Sequence, residues 1–474
     1  MQKKPFFITT PIYYVNAKPH IGHAYTTVAA DVLARFKKLQ GAEVFFSAGT
    51  DEHGMKIQKK AEEAEKDPLE FADEIVAQFQ ELWKQLDIGY TKFIRTTDPA
   101  HKQAVQKVLQ ALYDSGAIYK GSYEGLYCVG CEQFKIADDL VDGQCPDHNS
   151  VPEFMQEETY LMKMTVLQQE LIEKIEEDEF HIAPARYKTE ILSFLKGETL
   201  QDVSISRKNV KWGIPLPFDE TQTTYVWVDA FLNYLTVLGW DGDAKNVPKE
   251  WPADVQLLGK DILRVHATIW PAMLMHLGIP LPELLFTHGH ILAGGKKMSK
   301  TLGNALAIDE MLEKFGADGT RYLLLSAGTF GDDVDLTMER MTEKYNADLA
   351  NGLGNLVSRV LKLSEKLGEP QVMSNEQQTG ISGELAQLID ECRFAEALQH
   401  IWHGIREANR YIDETKPWEL VETNKAQFEQ VMMQLLQGLA LAAIALEPFL
   451  PETSEKISKA LRERKTEPLF QRIR

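Results

Sequence analysis

The chain has 474 residues, enough for two to four domains; 44% of them are apolar and the formal net charge is −19. An acidic balance of that size opposes non-specific binding to nucleic acid, so an RNA partner has to meet a local basic patch. There is no run of about 18 apolar residues, and Met1-Gln2-Lys3-Lys4 leads straight into a strand-like run without a signal peptide, so a cytoplasmic protein with no membrane span is expected.

Residues 6–15, FFITTPIYYV, read as a buried strand. The polar stretch NAKPHIGH follows. After it Val28, Val32, Leu33, Phe36 and Leu39 recur at helical spacing until Gly41 stops the helix. Residues 43–51, EVFFSAGTD, are a second strand ending at Asp51. A strand–helix–strand unit with polar strand ends belongs to an open parallel sheet, whose carboxyl edge is where ligands bind. His20 and His23 lie three apart at the mouth of the helix, beside the positive end of its dipole. A phosphate there meets backbone N–H groups and imidazole donors together, and Gly22 leaves room for a flat ring. Taken alone, such a pair reads equally well as two surface histidines.

Residues 55–86 are charged and helical, with a turn at Asp67-Pro68 and a buried stripe of Phe71, Ile75, Phe79, Leu82 and Leu86. A strand over 88–97 and a helix over 99–115, closed by Gly116, complete one half of an α/β domain. From 116 to 224 the texture turns aromatic and glycine-rich. Helices are expected near 167–177 and 188–195, then strands at DVSISR, KWGIPLP and TYVWVD, so this stretch reads as an insertion between two halves of a nucleotide fold. Alternation resumes at Tyr225. A helix over 230–238 precedes a strand and exit loop at 255–261, a helix to Leu277 kinked at Pro271, a last strand LLFTHGHIL, and the loop AGGKKMSKTLGN. From Asp309 the chain is helical almost to its end, apart from a turn at 328–335.

Three of the four cysteines cluster, and with His148 they give Cys128-x2-Cys131, thirteen residues, then Cys145-x2-His148. Two short-spaced pairs on tight turns, helped by Gly130, Gly143 and Pro146, suit a tetrahedral zinc knuckle. Four protein ligands leave no open position, so one structural zinc per chain is expected. The bland alternative is a surface loop holding unrelated thiols and a histidine. Iron–sulfur ligation is disfavoured by the histidine. Cys392 stands apart in a helical segment and reads as a buried apolar filler.

Lys296, Lys297 and Lys300 put three ammonium groups on a glycine-marked loop, a clamp for transferring phosphates or, standing alone, a solvated basic loop. Together, PHIGH after the first strand and KMSKT after the last resemble the two signatures of class I aminoacyl-tRNA synthetases. Thr301 stands where the second signature usually has serine and keeps the hydroxyl. Neither a P-loop nor G-x-G-x-x-G is present. The blocks TPIYYVNAKPHIGH, GTDEHG, the cysteine knuckle, SISR with KWGIPLP, YVWVDAFLNYLT, LGKDILRVHATIWPAML and KKMSKT narrow the resemblance to the methionyl-tRNA synthetase family, bacterial type with a single zinc knuckle. NADLANGLGNLVSR and DETKPWEL resemble that family's anticodon-binding bundle, so the likeness covers nearly the whole chain.

The resemblance implies a Rossmann-type parallel-sheet catalytic domain in two halves, 1–115 and 225–295. A connective insertion at 116–224, with its zinc knuckle at 128–148, separates them. Residues 296–350 would hold the KMSKT loop and the tRNA-stem contacts, and 351–474 an all-α anticodon-binding domain. It implies a methionine–tRNA ligase that converts methionine and ATP to methionyl-adenylate, then loads the 3′ end of tRNA(Met), initiator tRNA included. His20, His23, Lys297 and Lys300 would be catalytic on the phosphates, with Mg²⁺ accompanying ATP. Gly22, Gly259, His288 and Ile291 would line the ATP site, and Asp261 would take the ribose. Asp51 would pair the ammonium of methionine. Ile12, Tyr14, Trp227, Ala230, Tyr234 and His266 would hold its side chain, with Tyr14 and His266 as donors to the sulfur. Asn355, Arg359 and Trp418 would read the anticodon, with Pro417 presenting the Trp418 ring and Arg340 and Lys344 supplying local positive charge. Members often carry a further C-terminal domain that dimerises them. The sequence ends at Arg474 without one, which implies a monomer.

Rival readings are fewer. The cysteinyl enzymes place a zinc-ligating cysteine just before the histidine signature, where residues 10–14 here hold none. The leucyl, isoleucyl and valyl enzymes carry a large editing insertion for which 116–224 leaves little room. A non-catalytic tRNA-binding protein that kept the fold would not need His20, His23, Asp51, Lys297 and Lys300 together.

Overall fold

Proline cannot donate to a sheet ladder, and Pro11 divides the first apolar run accordingly. In the computed structural model, which describes residues 4–128, 133–135, 140–146, 150–298, 306–367, 381, 383–465 and 468–474, the expected strand is two, Phe6–Thr9 and Tyr13–Tyr14. Both pair parallel with Val44–Asp51, Thr9 opposite Ser47 and Tyr13 opposite Thr50, so one extra residue bulges out around the proline.

The chain divides into two compact units: residues 1–19, 43–81 and 90–287, and residues 20–42, 82–89 and 288–474. The first is built on a seven-stranded sheet in the order Tyr13–Tyr14, Val44–Asp51, Phe6–Thr9, Val255–Gly259, Leu284–His288 and His181–Ala183, with Lys92–Arg95 also on Val44–Asp51. Phe6–Thr9 pairs parallel with the strands on both its sides, the order of an open α/β fold. Its core runs from Phe7 through Trp227, Phe231, Trp251 and Trp270 to Leu285. The stretch 116–224 departs from a pure insertion. His181–Ala183 lies parallel to Leu284–His288 in the main sheet, a three-residue strand too short to leave a periodic signal. The rest of it forms an antiparallel sheet of Gln133–Lys135, Ile118–Cys128, Glu153–Met162 and Val203–Ser204, plus a smaller one around Asp219–Thr224.

A second departure concerns TYVWVD. The strand ends at Thr224, and Val226–Phe231 is a helix. β-branched and aromatic residues mimic a strand there, but each of those six positions is buried, so packing outweighs propensity. The expected single helix over 230–238 is consequently two short ones, Val226–Phe231 and Asn233–Thr236. Leu263–Leu277 is one helix that contains Pro271.

The second unit opens with the Ile21–Leu39 helix, earlier by a turn than its apolar spacing suggests, because His20 caps it. Gly41, at φ 81°, closes it with N–H bonds from Gly41 to Lys38 O and Ala42 to Lys37 O. Ile291–Ala293 pairs with Lys296–Lys297 and Val334–Asp335, so the expected last strand breaks after His288 and resumes in another sheet. Ile308–Leu325 and Met338–Lys344 lead into a π-helical stretch, Tyr345–Gly354. Its wider winding displaces carbonyls, and side chains from Phe394–Thr415 reach two of them: Trp402 Nε1 donates to Asp348 O and Asn409 Nδ2 to Gly352 O, both at 3.3 Å. Asn355–Ser364, Gly383–Asp390, Pro417–Thr423, Lys425–Leu446 and Pro451–Glu463 build the remaining bundle. Lys425–Leu446 is long and apolar enough to cross a membrane by length and composition, although Gln427, Gln430, Gln434 and Gln437 interrupt its apolar residues. Phe428, Val431, Met432, Leu435 and Leu439 bury its inner face, as in a core helix.

Candidate active site

In the second unit the two histidines cap a helix reciprocally. Gly22 N–H donates to His20 Nδ1 at 3.1 Å, and His20 N–H donates to His23 Nδ1 at 3.2 Å. With each Nδ1 accepting, the neutral rings carry their protons on Nε2. The rings stack with centroids 3.7 Å apart. A Cβ at Gly22 would come within 3.1 Å of the His20 ring, so the glycine makes room first for its own neighbour. Burial, helped by nearby His20, holds His23 well below the usual imidazole range, so this ring stays neutral at pH 7.

Thr26, one turn on, shares a 2.7 Å hydrogen bond with His288 Nε2, and His288 Nδ1 donates to Gly289 O at 2.7 Å. That tautomer makes Thr26 the donor to Nε2. The structure therefore brings His288 to the histidine helix, with Tyr25 edge-on at 5.3 Å. Ile291 is buried at the start of its strand. Lys297 ends the Lys296–Lys297 strand, and Lys300 lies outside the described residues.

In the first unit an aromatic cluster forms at the strand ends. Tyr14 is directly opposite Asp51 in the sheet, and Asp51 is buried. The Trp227 ring meets Tyr14 edge-on at 6.3 Å and His266 at 6.1 Å. Tyr234 OH is 2.9 Å from His266 Nε2. Ala230 is buried on the same helix as Trp227, and Ile12 is half-buried beside this core. Gly259 ends its strand and Asp261 sits in the turn that follows. So Tyr14, Asp51, Trp227, Tyr234 and His266, spread over more than half the chain, are brought together.

The expectation that His266 donates to a thioether does not survive this geometry. His266 Nδ1 lies 2.9 Å from Ile262 O, which only a donor can satisfy. Burial lowers its pKa to about 4, so the ring is neutral and Nε2 is a bare acceptor. Tyr234 donates into it, and His266 has no second N–H to offer.

Sequence reasoning missed the groups behind Asp51. Glu52 is fully buried and takes a bidentate pair from Arg95 at 2.7 and 2.8 Å, with Thr50 and Thr97 hydroxyls at 2.6 Å. His53 Nδ1 is 2.6 Å from Asp229 Oδ2, and His101 Nε2 is 2.7 Å from Asp229 Oδ1. The available signal was Asp51-Glu52-His53, three ionisable residues in succession where an apolar strand runs into the core.

In the helical bundle, Asn355 is exposed at the start of its helix and Arg359 Nη2 is 2.5 Å from Asp413 Oδ1. Trp418 is 43% exposed, at the second position of a helix that Pro417 opens. Arg340 and Lys344 are less available as positive charge than expected. They pair with Asp335 at 3.1 Å and Asp348 at 2.9 Å.

Of the four expected zinc ligands, Cys131 and His148 lie outside the described residues. Cys128 and Cys145 are both buried. Cys145 N–H donates to Ser150 O at 2.9 Å and Cys128 Sγ is 3.9 Å from Ser150 Oγ, so both cysteines contact the same serine, one through its backbone and one through its thiol. Among the described residues no group of three or more metal-ligating side chains forms. Cys392 is buried, and burial pushes its thiol well up, as suits an inert filler.

The chain is similar in sequence and fold to known proteins. The family described as tRNA synthetases class I (M) matches residues 6–151 and 148–361, and the anticodon binding domain of methionyl tRNA ligase matches 374–471. The chain is 46% identical to a methionine–tRNA ligase of Clostridium acetobutylicum, over 97% of this chain and 74% of that one. It is 41% identical to one from Synechocystis, over 96% and 89%. Mycobacterium tuberculosis methionyl-tRNA synthetase in complex with methionyl-adenylate superposes with a TM-score of 0.90 at 35% identity, covering 96% of this chain and 93% of that one.

Proposed function

The chain belongs to the methionyl class I tRNA synthetases, and from that premise we propose which of its residues carry each step. It is a methionine–tRNA ligase: ATP activates methionine to methionyl-adenylate, and the methionyl group passes to tRNA. The helix opened by His20, with Gly22 and His23, receives the phosphates at its positive end. His288 and Ile291 face the adenosine, and Gly259 and Asp261 hold the ribose side. Lys297 and Lys300 neutralise the charge that develops on pyrophosphate as the carboxylate attacks the α-phosphorus. Mg²⁺ arriving with ATP supplies further neutralisation.

Methionine binds in the aromatic cluster. Asp51 takes its ammonium, and the walls are Ile12, Tyr14, Trp227, Ala230, Tyr234 and His266. Aromatic rings around a thioether contribute about 0.3–1.5 kcal/mol each. His266 serves as the acceptor that fixes Tyr234 rather than as a sulfur donor. In the bundle, Asn355, Arg359 and the exposed Trp418 read the unstacked anticodon bases. Initiator and elongator tRNA(Met) are both substrates, and the enzyme works in the cytoplasm.

Cys128, Cys131, Cys145 and His148 hold one structural zinc. The burial of Cys128 and Cys145, both in contact with Ser150, supports this. Zinc would clamp the turns of the insertion.

The observation that carries the methionine assignment is the pairing of Tyr14 with Asp51 beside the Trp227–His266–Tyr234 cluster, a buried carboxylate next to aromatic rings. Amino-acid-dependent pyrophosphate exchange, run with each amino acid in turn, tests it. Methionine alone should support exchange. Exchange driven by leucine or cysteine would overturn the assignment.

A further inference from the structure

Asp229 is 1% exposed and spends both carboxylate oxygens on imidazoles, His53 on one side and His101 on the other. Beyond His101 the chain continues, since His101 Nδ1 is 2.7 Å from Thr236 Oγ1. Burial alone would push the Asp229 carboxyl up, yet the facing His53 and His101 N–H groups hold it at about 2, so it is ionised at any working pH. On His53's side the loop is pinned again. Trp212 Nε1 donates to Glu52 O, and Gly54 N–H donates to Trp212 O at 3.0 Å.

Such a network is a costly way to hold a core together, because well-packed apolar residues are often as stable as a buried charged cluster. What it provides is a fixed register. The Val226–Phe231 helix is six residues long, and Tyr225 gives it no side-chain cap. A helix this short does not hold itself in water, so its position comes from tertiary contacts. Asp229 is its one charged residue, and it lies between Trp227 and Ala230 in sequence. On the other side, His53 stands two residues after Asp51.

We propose that His53, Asp229 and His101 are positioning residues that set the affinity for methionine, by locking the helix bearing Trp227 and Ala230 to the strand end bearing Asp51. The proposal rests on the reading of the aromatic cluster as the methionine pocket. None of the three needs to touch substrate. Their work is to keep the Trp227 ring and the Asp51 carboxylate at a fixed separation before methionine arrives, so that binding does not have to order them.

Asp229→Asn keeps the shape and loses the charge. Its amide presents one acceptor and one donor, which His101 accommodates by moving its proton to Nδ1, toward Thr236. In methionine-dependent pyrophosphate exchange, the methionine KM of Asp229→Asn should rise about fivefold or more, while kcat and the ATP KM stay within about twofold. Thr236→Val, which removes only the far end of the chain, should move the methionine KM the same way by less, and it stands in if Asp229→Asn does not fold. A methionine KM within about twofold of the parent in both variants overturns the proposal, as does a parallel loss in kcat and both KM values. Trp227→Ala separates the two readings. A raised methionine KM there with none in Asp229→Asn sinks the lock and spares the pocket. An unchanged methionine KM in Trp227→Ala removes the pocket assignment and the lock with it.

Discussion

Single hydrogen bonds decide what the histidines of this chain can do. His266 illustrates it: Ile262 O claims its proton-bearing nitrogen and Tyr234 fills the other, so a residue of the pocket wall is chemically a fixed acceptor. Its protonation is linked to stability. The folded pKa is about 4 against 6.5 for the ordinary side chain, so between those values the unfolded chain binds more protons. Stability contributed by the neutral ring is intact above pH 6.5 and is lost as pH falls toward 4, up to roughly 3 kcal/mol at about 1.4 kcal/mol per unit. His266→Gln keeps an acceptor for Tyr234 and has no proton to gain. Urea unfolding between pH 6.5 and 4.5 should therefore fall less steeply in His266→Gln than in the parent, and equal slopes would refute the buried neutral ring.

At the scale of elements, three segments carry the assignments, and each responds to a different test. The insertion depends on its knuckle: metal analysis should find one zinc per chain. Cys128→Ser should lower that ratio and speed hydrogen exchange in the Ile118–Cys128 and Glu153–Met162 strands. Active protein without zinc would end this reading. The Pro417–Thr423 helix holds Trp418 out toward solvent, where a base can stack on it. Stacking of one base contributes about 1–3 kcal/mol, so Trp418→Ala should cut kcat/KM for tRNA charging by about tenfold while leaving pyrophosphate exchange unchanged. Loss of exchange as well would mean that the ring packs structurally. The Val226–Phe231 helix shows where local patterning fails. Its composition is that of a strand, and only burial on every side makes it helical.

For the whole molecule, the buried Arg321–Asp31 pair ties the second unit together across long sequence separations. Arg321 is fully buried and lies 2.7 Å from Asp31 of the histidine helix. It also donates to Leu86 O at 3.0 Å, Pro448 O at 2.9 Å and Phe449 O at 2.8 Å. Asp31 in turn accepts from Arg35 at 2.7 Å and Gly89 N–H at 2.8 Å. Arg321→Met leaves Asp31 with Arg35 as its remaining cationic partner and deprives three buried carbonyls of their donor, and should cost about 3–5 kcal/mol in chemical unfolding. Replacing Asp31 by Asn in the same chain should recover part of that loss; a larger loss in the double variant would contradict the pairing.

Much of this molecule is written locally. The histidine-capped helix, its glycine stop, the alternation of strand and helix and the spacing of the cysteines follow from short-range rules, because caps, turns and periodic burial involve residues a few positions apart. Side chains that touch only after folding left no such trace. The Glu52–Arg95 pair, the sharing of Asp229 by His53 and His101, the hydrogen bond of Tyr234 to His266, and the seat of His181–Ala183 in the main sheet all join positions that the chain itself keeps apart. The sequence therefore determined which chemical groups this ligase possesses and roughly which elements bear them. Tertiary structure alone decided which of those groups are neutral, charged or already engaged, because burial and the choice of hydrogen-bond partner are properties of the folded interior and not of any window of residues.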